Sequence, residues 1–394
     1  VIRVAIVHPW FPQYRTEFFK EILHVGAEKG IHIDIFHGDP PREWLERNDA
    51  VTDAGIATPL KTKFLKTPWG ALIKHDLHGA RVPGGFDLVI VEQAIRNIET
   101  YSLFLANRTR VAMWGHGGSY TASPRRQWMR LAVVKRSSWF FGYTAGGVRA
   151  VVNAGYDVRS TTVVLNSIDT KALIDELEAV MKQDVVRLRK ELNLEGRTAL
   201  VLGGLDEAKR LPLAFAAADA LAAADPAFRL VIAGDGSERQ WVCDYVGSRN
   251  WAHYVGRVEG KRKAVLLRAV DIIYNPGRVG LIALDSIASG VPIISTRWDR
   301  HAPEAEYLEH LQDSVFAEND LESLIGATNS LLDDEFRRAL YTARLLAKRA
   351  DFSAQVMAQN FLTGIEGALR KAKGRAVLTS KFRRHPQIGR LADQ

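Results

Sequence analysis

The stretch from Asn275 to Thr296 holds the residues of this chain best placed to do chemistry. An apolar run, 271–275, meets the turn Pro276-Gly277. A helix then opens at Gly280, and a second apolar run follows Pro292. The first N–H groups of a helix have no carbonyl partner inside it, and the helix dipole adds partial positive charge at that end. A strand feeding a glycine-bounded helix start is therefore a seat for a phosphate or pyrophosphate. Asp285 stands one turn inside that end, within reach of a ribose hydroxyl.

Three further strand ends carry polar or glycine-rich turns. Run 199–203 leads into Gly203-Gly204-Leu205-Asp206-Glu207-Ala208-Lys209-Arg210, where the glycines permit close backbone approach and two cations follow at a spacing suited to a diphosphate. Taken alone, the segment reads first as a surface loop with two solvated cations. Run 229–233 ends in Gly234-Asp235-Gly236, and 253–255 in Gly256-Arg257-Val258. In the first half, His116 follows the run 110–114, and Tyr14 and Arg15 follow the run 2–7. His116 either serves a site or satisfies backbone groups in its turn; Arg15 either holds an acceptor or phosphate, or only caps a helix or pairs with Glu17. No Asp-x-Asp follows an apolar strand, and Asp333-Asp334-Glu335 reads as solvated surface, so no metal is expected. P-loop and Gly-x-Ser-x-Gly patterns are absent too, against kinase and hydrolase readings.

The elements that must position these residues are short β-branched runs alternating with helical stretches. Runs 2–7, 31–36, 86–91, 110–114, 139–141 and 162–165 form one series; 199–203, 229–233, 253–255, 271–275, 292–296 and 314–317 form a second. Such alternation predicts α/β architecture with parallel sheets covered on both faces. Two series in 394 residues predict two doubly wound domains, 1–170 and 171–355, with 356–394 as a returning helix and tail. Ligands in such sheets lie beyond the carboxyl ends of the strands, which collects the turns above into one cleft.

In order and spacing, Lys209 after Gly203-Gly204-Leu205, then Gly234-Asp235-Gly236, then Val255-Gly256-Arg257-Val258, then Pro276-Gly277-Arg278-Val279-Gly280-Leu281, then Ala288-Ser289-Gly290-Val291-Pro292 resembles the donor half of retaining GT-B glycosyltransferases of family 4. His301-Ala302-Pro303-Glu304 agrees, as do Phe11-Pro12-Gln13-Tyr14-Arg15, Val91-Glu92-Gln93-Ala94, Trp114-Gly115-His116-Gly117 and Asn166-Ser167-Ile168-Asp169 in the first half. The resemblance spans roughly residues 1–370. It implies transfer of a sugar from a nucleotide diphosphate-sugar, a co-substrate rather than a bound cofactor, to an acceptor with the anomeric configuration retained. Lys209 then neutralises the departing diphosphate, with Gly203, Gly204 and Arg210 around it. Amides of Val279, Gly280 and Leu281 cap the diphosphate, Asp285 stands at the ribose-binding acid, and Gly256, Arg257 and Val258 read the base. Gly234 and Gly236 line the same cleft, and His116 reaches the transferred sugar. The acceptor lies towards Tyr14, Arg15 and Glu92. Three departures stand out: the family's first acid is Gly277, its second is shortened to Asp285, and its loop arginine is Gly204. Arg278, Glu304 or backbone amides are the candidates to hold the sugar hydroxyls in place of the first acid.

Net charge is +8, and most of the excess lies in the tail, where Lys371, Lys373, Arg375, Lys381, Arg383, Arg384 and Arg390 face only Asp393. Two further segments mix bases with large apolar residues, Lys61 to Lys74 and Arg125 to Phe141. The first, interrupted by Pro68 and Gly70, is expected as a loop or short helix pair near the acceptor; the second as a helix covering its own sheet. Together they suggest a glycan or lipid-linked acceptor and an anionic membrane surface as partner. Nucleic acid is not expected, since the basic excess is a tail rather than an aromatic-lined groove. The single cysteine and the absence of a signal-peptide shape or a spanning apolar run point to a cytoplasmic protein, peripheral on the inner membrane face. Rival readings are a GT-B epimerase or phosphorylase, and a non-catalytic anion-surface binding protein on a degenerate GT-B scaffold.

Overall fold

The computed structural model describes residues 1–40, 55–67, 70–78, 82, 84–106, 109–118 and 123–383, with backbone alone beyond 371. The first seven-stranded sheet has the order β3-β2-β1-β6-β7-β8-β9. Its strands are β1 (Ile2–His8), β2 (Ile31–His37), β3 (Thr58–Pro59), β6 (Leu88–Glu92), β7 (Arg110–Gly115), β8 (Phe140–Gly142) and β9 (Thr161–Val163). A separate antiparallel hairpin, β4 (Thr62–Thr67) and β5 (Gly70–His75), stands beside it. The second sheet runs β12-β11-β10-β13-β14-β15, from β10 (Thr198–Leu202), β11 (Arg229–Ala233), β12 (Ala252–Gly256), β13 (Ile272–Tyr274), β14 (Ile293–Thr296) and β15 (Val315–Ala317). Every pairing in both sheets is parallel. These are two Rossmann-like domains, and the central strands are apolar because helices bury both faces.

Strand order reverses between β1 and β6 in the first sheet and between β10 and β13 in the second. Loops diverge to opposite faces at such points and leave a crevice at the carboxyl ends. Tyr14, Arg15 and Glu92 border the first switch point; Lys209 and the Gly280 turn border the second.

All twelve strands expected from the sequence are present, with ends shifted by one or two residues. Strand β3 and the hairpin had no clear alternation. Lys61 to Lys74 is that β-hairpin rather than a loop or helix pair, since register Thr62↔His75 to Thr67↔Gly70 satisfies its backbone across the turn. Helix Thr170–Ala179 packs on the second domain through Leu173 and Leu177, and helix Lys182–Glu191 through Val185 and Leu188. The last helix, Ala354–Arg383, returns to the first domain, where Met357, Phe361 and Ile365 join its core and Phe361 stacks on Phe141 at 4.4 Å. Residues 372–383 thus continue a helix rather than an irregular tail, and Arg384 and Arg390 lie outside the described residues.

Candidate active site

Lys209 closes a single 3-10 turn, Glu207–Lys209, which Asp206 caps by accepting from the Ala208 N–H at 3.1 Å. Arg210 then takes a left-handed conformation (φ 53°), which turns the chain into helix Leu211–Ala224 and folds Lys209 back over its own strand. The ammonium donates to the Leu202 carbonyl at 3.0 Å and to Asn275 Oδ1 at 2.9 Å. Gly203 (φ +116°) lies beneath, with a Cβ there falling 3.3 Å from Nζ. Burial lowers the amine to about 8, opposed by Asp206 and Asp285. Its protein partners are neutral oxygens, so an arriving anion would complete its coordination. Asn275, unmarked in the sequence beyond its strand-end position, fixes the amine from the neighbouring strand.

A diphosphate docking there restores the full charge, so its affinity is expected to fall by up to about tenfold per pH unit above 8. Calorimetry of a UDP-sugar, whose diphosphate carries no proton that titrates near neutral pH, should register proton uptake at pH 9 in two buffers of different ionisation enthalpy. At pH 6.5 it should register none.

The turn before the helix Ile282–Ser289 presses directly on the Lys209 turn: Arg278 N–H donates to the Ala208 carbonyl at 2.7 Å. A Cβ at Gly277 would lie 2.3 Å from the Ala208 carbonyl oxygen and 2.4 Å from the Lys209 carbonyl carbon. The family's first acid is therefore missing from a backbone with no room for a side chain. Of the three expected diphosphate amides, Val279 is taken, donating to His301 Nδ1 at 3.0 Å while His301 Nε2 meets the Thr296 carbonyl at 2.8 Å. The Gly280 and Leu281 amides donate to no acceptor among the described residues. Asp285 is buried and pairs with Lys263 at 2.6 Å, so any hydroxyl it takes is shared with a second cation. Lys263 carried no sequence signal: its partner lies on another helix, 22 residues away.

The remaining second-domain residues divide between backbone packing and side-chain pairs. A Cβ at Gly234 would fall 1.8 Å from the Gly203 carbonyl oxygen, and one at Gly236 2.4 Å from that of Leu205, so both glycines knit neighbouring strand ends together. Gly256 accepts from the Gly234 N–H at 2.9 Å, and Val258 packs into the core. Gly204 is exposed at the rim. Arg257 turns to Glu259 at 2.6 Å. Arg210 points away from the Lys209 amine, because Thr296 Oγ1 (3.2 Å) and Asn319 Oδ1 draw its guanidinium over Trp298.

On the first domain, His116 sits in a turn held by Gln93, whose amide donates to the Gly117 carbonyl (2.9 Å) and accepts from its N–H (2.8 Å). The turn abuts helix Ala145–Asn153 so closely that a Cβ at Gly117 (φ +72°) would lie 2.0 Å from the Gly147 carbonyl oxygen. The imidazole packs on Tyr143 (centroids 4.6 Å), and its Nδ1 is buried without a partner. Burial, with Arg130, Arg278 and Arg15 adding to it, lowers its pKa to about 3, so it is neutral at ordinary pH. Arg15 is 2% exposed and does not pair with Glu17, which meets Lys20 instead. Its guanidinium lies 5.0 Å from the Trp114 ring and 5.2 Å from those of Tyr14 and Tyr143. Burial raises the Glu92 carboxyl to about 7, against the pull of Arg130 and Arg15.

Residues after β14 join the two halves. Glu306 accepts from Thr144 Oγ1 (3.1 Å) and the Gly146 N–H (2.8 Å), at the start of helix Ala145–Asn153. The Tyr307 hydroxyl reaches the carbonyls of Tyr143 and Asn166, each at 3.2 Å. Glu304, expected beside the sugar, is buried and hydrogen-bonded to Asn166, which turns its carboxylate to the domain junction. With the halves so joined, the charge of Arg278 helps to lower the His116 pKa across the domain junction.

The two apolar-basic segments are more exposed than covering elements would be. Helix Pro124–Val134 buries Val134 but leaves Trp128 70% exposed, so it only partly covers its sheet. Phe64 and Leu65 project from the hairpin. That hairpin bridges through Ile73 to Asn97, beyond the carboxyl end of β6, on the cleft side. Lys371, by contrast, pairs with Asp157 at 3.2 Å beside the start of β9, so the basic end of the last helix leaves from the opposite side. No helix among the described residues is long and apolar enough to cross a membrane.

This geometry can now be set beside known proteins. Residues 196–334 match the family glycosyl transferases group 1. The match covers the second domain's sheet and both turns around Lys209 and Gly280. The phosphatidyl-myo-inositol mannosyltransferase of Mycolicibacterium smegmatis is 27% identical over 176 residues, 41% of this chain and 44% of that protein. The chain thus spans less than half the length of the curated relatives it matches. Among solved structures, a glycosyltransferase from Rickettsia africae superposes with a TM-score of 0.68 at 13% identity, over 93% of this chain and 98% of that one. Anabaena HepE in complex with UDP gives 0.65 at 14% identity, over 93% and 100%. At such identity the likeness establishes the fold, two Rossmann-like domains in the GT-B arrangement.

Proposed function

We propose that this protein is a retaining glycosyltransferase that moves a sugar from a nucleotide diphosphate-sugar to a glycan or lipid-linked acceptor. One observation carries the reading: a half-buried lysine, its amine held by two neutral oxygens, stands on a turn that packs against a helix start with free amides at the switch point of the second sheet. Leaving-group charge develops there, and preorganised cations and amides in a water-poor site stabilise it most. Lys209 supplies a cation in the role a metal fills elsewhere, which supports a metal-independent reaction. Neutral His116 follows the carboxyl end of its strand, and its buried, unpartnered Nδ1 leaves one ring nitrogen without a protein contact, which suits a role in hydrogen bonding to a sugar hydroxyl once the turn is occupied. Arg15 and Glu92 line the acceptor side. Retention rests on the family resemblance, and a nuclear magnetic resonance time course of the first-formed anomer tests it.

The donor reading is tested by thermal shift with UDP-, GDP-, ADP- and dTDP-sugars. One should raise the melting temperature in proportion to its occupancy, by about 2.7 kcal/mol of added stability at a hundredfold excess over its Kd. No shift with any of them would favour the non-catalytic reading that Gly204 and the sealed Gly277 suggest. Phe64, Leu65 and Trp128, exposed among lysines and arginines, support an anionic membrane surface on the cytoplasmic face as the place of work. Flotation with vesicles containing acidic lipid should carry the protein upward at low salt and release it at high salt. Equal flotation with neutral vesicles would contradict the electrostatic part of that reading.

A further inference from the structure

Behind the Lys209 turn, on its Leu211–Ala224 side, lies a second depression of 500 Å³. Arg210, Arg278 and Arg300 line it, with Trp298 among them and Glu207 and Glu238 on the facing wall. Among the described residues none of the three arginines forms an ion pair, although Glu207 and Glu238 share the pocket with them. Arg210 and Arg300 stand 5.3 and 6.0 Å from the Trp298 ring centre, and Arg210 is further fixed by Thr296 and Asn319. The Arg210 guanidinium is thus oriented before any ligand arrives, which lowers the ordering cost of binding. One carboxylate oxygen of Glu238 is buried without a partner. Ala208 and Arg278 both line this pocket and are joined by the Arg278 N–H to Ala208 carbonyl bond at 2.7 Å, so its wall is continuous with the Lys209 turn.

We infer that this pocket holds an acidic group of the acceptor, a carboxyl or phosphoryl carried on a saccharide whose hydroxyls meet Glu207 and Glu238. Three cations against two carboxylates suit one anionic group on a hydroxylated body. A second diphosphate would meet repulsion from the acidic wall. The inference rests on the transferase reading and narrows its acceptor to acidic saccharides.

The test is calorimetry with glucuronate, glucose 6-phosphate and glucose, on the whole chain and on Lys209→Ala, Arg300→Ala and Arg300→Gln, each first checked for an unchanged melting transition. At least one acidic sugar should bind about tenfold or more tighter than glucose, persist in Lys209→Ala and weaken about tenfold in both Arg300 variants. The tighter of the two names the acid. Acidic sugars no better than glucose, or binding untouched in the Arg300 variants, would overturn the inference. UDP titrated in parallel separates the two readings: absent UDP binding with acidic-sugar binding intact removes the donor assignment and leaves this pocket standing.

Discussion

Lys209→Ala should lower turnover by about 100- to 1000-fold, the range seen when one preorganised stabiliser of developing charge is removed. The amine is the cation that the Leu202 carbonyl, Asn275 and the open face of Gly203 hold at the strand ends. Lys209→Arg should recover little. A planar guanidinium cannot enter a slot sized for one ammonium between two oxygens 2.9 and 3.0 Å away. Asn275→Ala should weaken nucleotide affinity by a smaller factor, because Leu202 still orients the amine. Single-turnover rates and nucleotide titrations on each variant check the order. Alanine and wild type turning over alike would remove Lys209 from the mechanism.

Gly277→Glu should unfold the donor cleft rather than repair it. The substitution places the family's usual acid at its usual position, and by resemblance alone it would be expected to raise activity. Here its Cβ would stand 2.3 to 2.5 Å from the backbone of Ala208 and Lys209. Backbone cannot yield as a side-chain tip can, so a destabilisation of about 3 kcal/mol or more is expected, with loss of nucleotide binding. Thermal melting and UDP titration would register both. A stable, more active Gly277→Glu would mean that the two turns separate freely in solution.

Those two substitutions also mark how far the sequence carried. Parallel strands were legible because β-branched runs buried on both faces, such as Ile293-Ile294, stand out from their helices. The rule that ligands lie beyond the carboxyl ends of such strands gathered Lys209 and the Gly280 turn into one place, but that β10 and β13 are neighbours was not legible from their order in the chain. The hairpin at Thr62–Thr67 and Gly70–His75 was not legible: Phe64 and Leu65 are adjacent, so they break the alternation that identifies a half-buried strand. Helix Pro124–Val134 looked like a covering element, yet only its final turn is buried; composition gives amphipathicity but not the depth of packing. Side-chain partnerships were the least legible. His301 on the Val279 amide, Lys263 on Asp285, and Asn166 on Glu304 each join residues distant in the chain. All three occupy groups that the family resemblance had offered to a ligand. Gln93, which braces the His116 turn, lies within a quoted motif, but nothing in its type announced that role.

A crystal structure with UDP bound tests the central claim most directly. The β-phosphate should lie about 3 Å from Lys209 Nζ and from the Gly280 and Leu281 amides, with the ribose against Asp285 and Lys263. A nucleotide bound elsewhere on the chain, or one whose phosphates turn from Lys209 to solvent, would contradict the account.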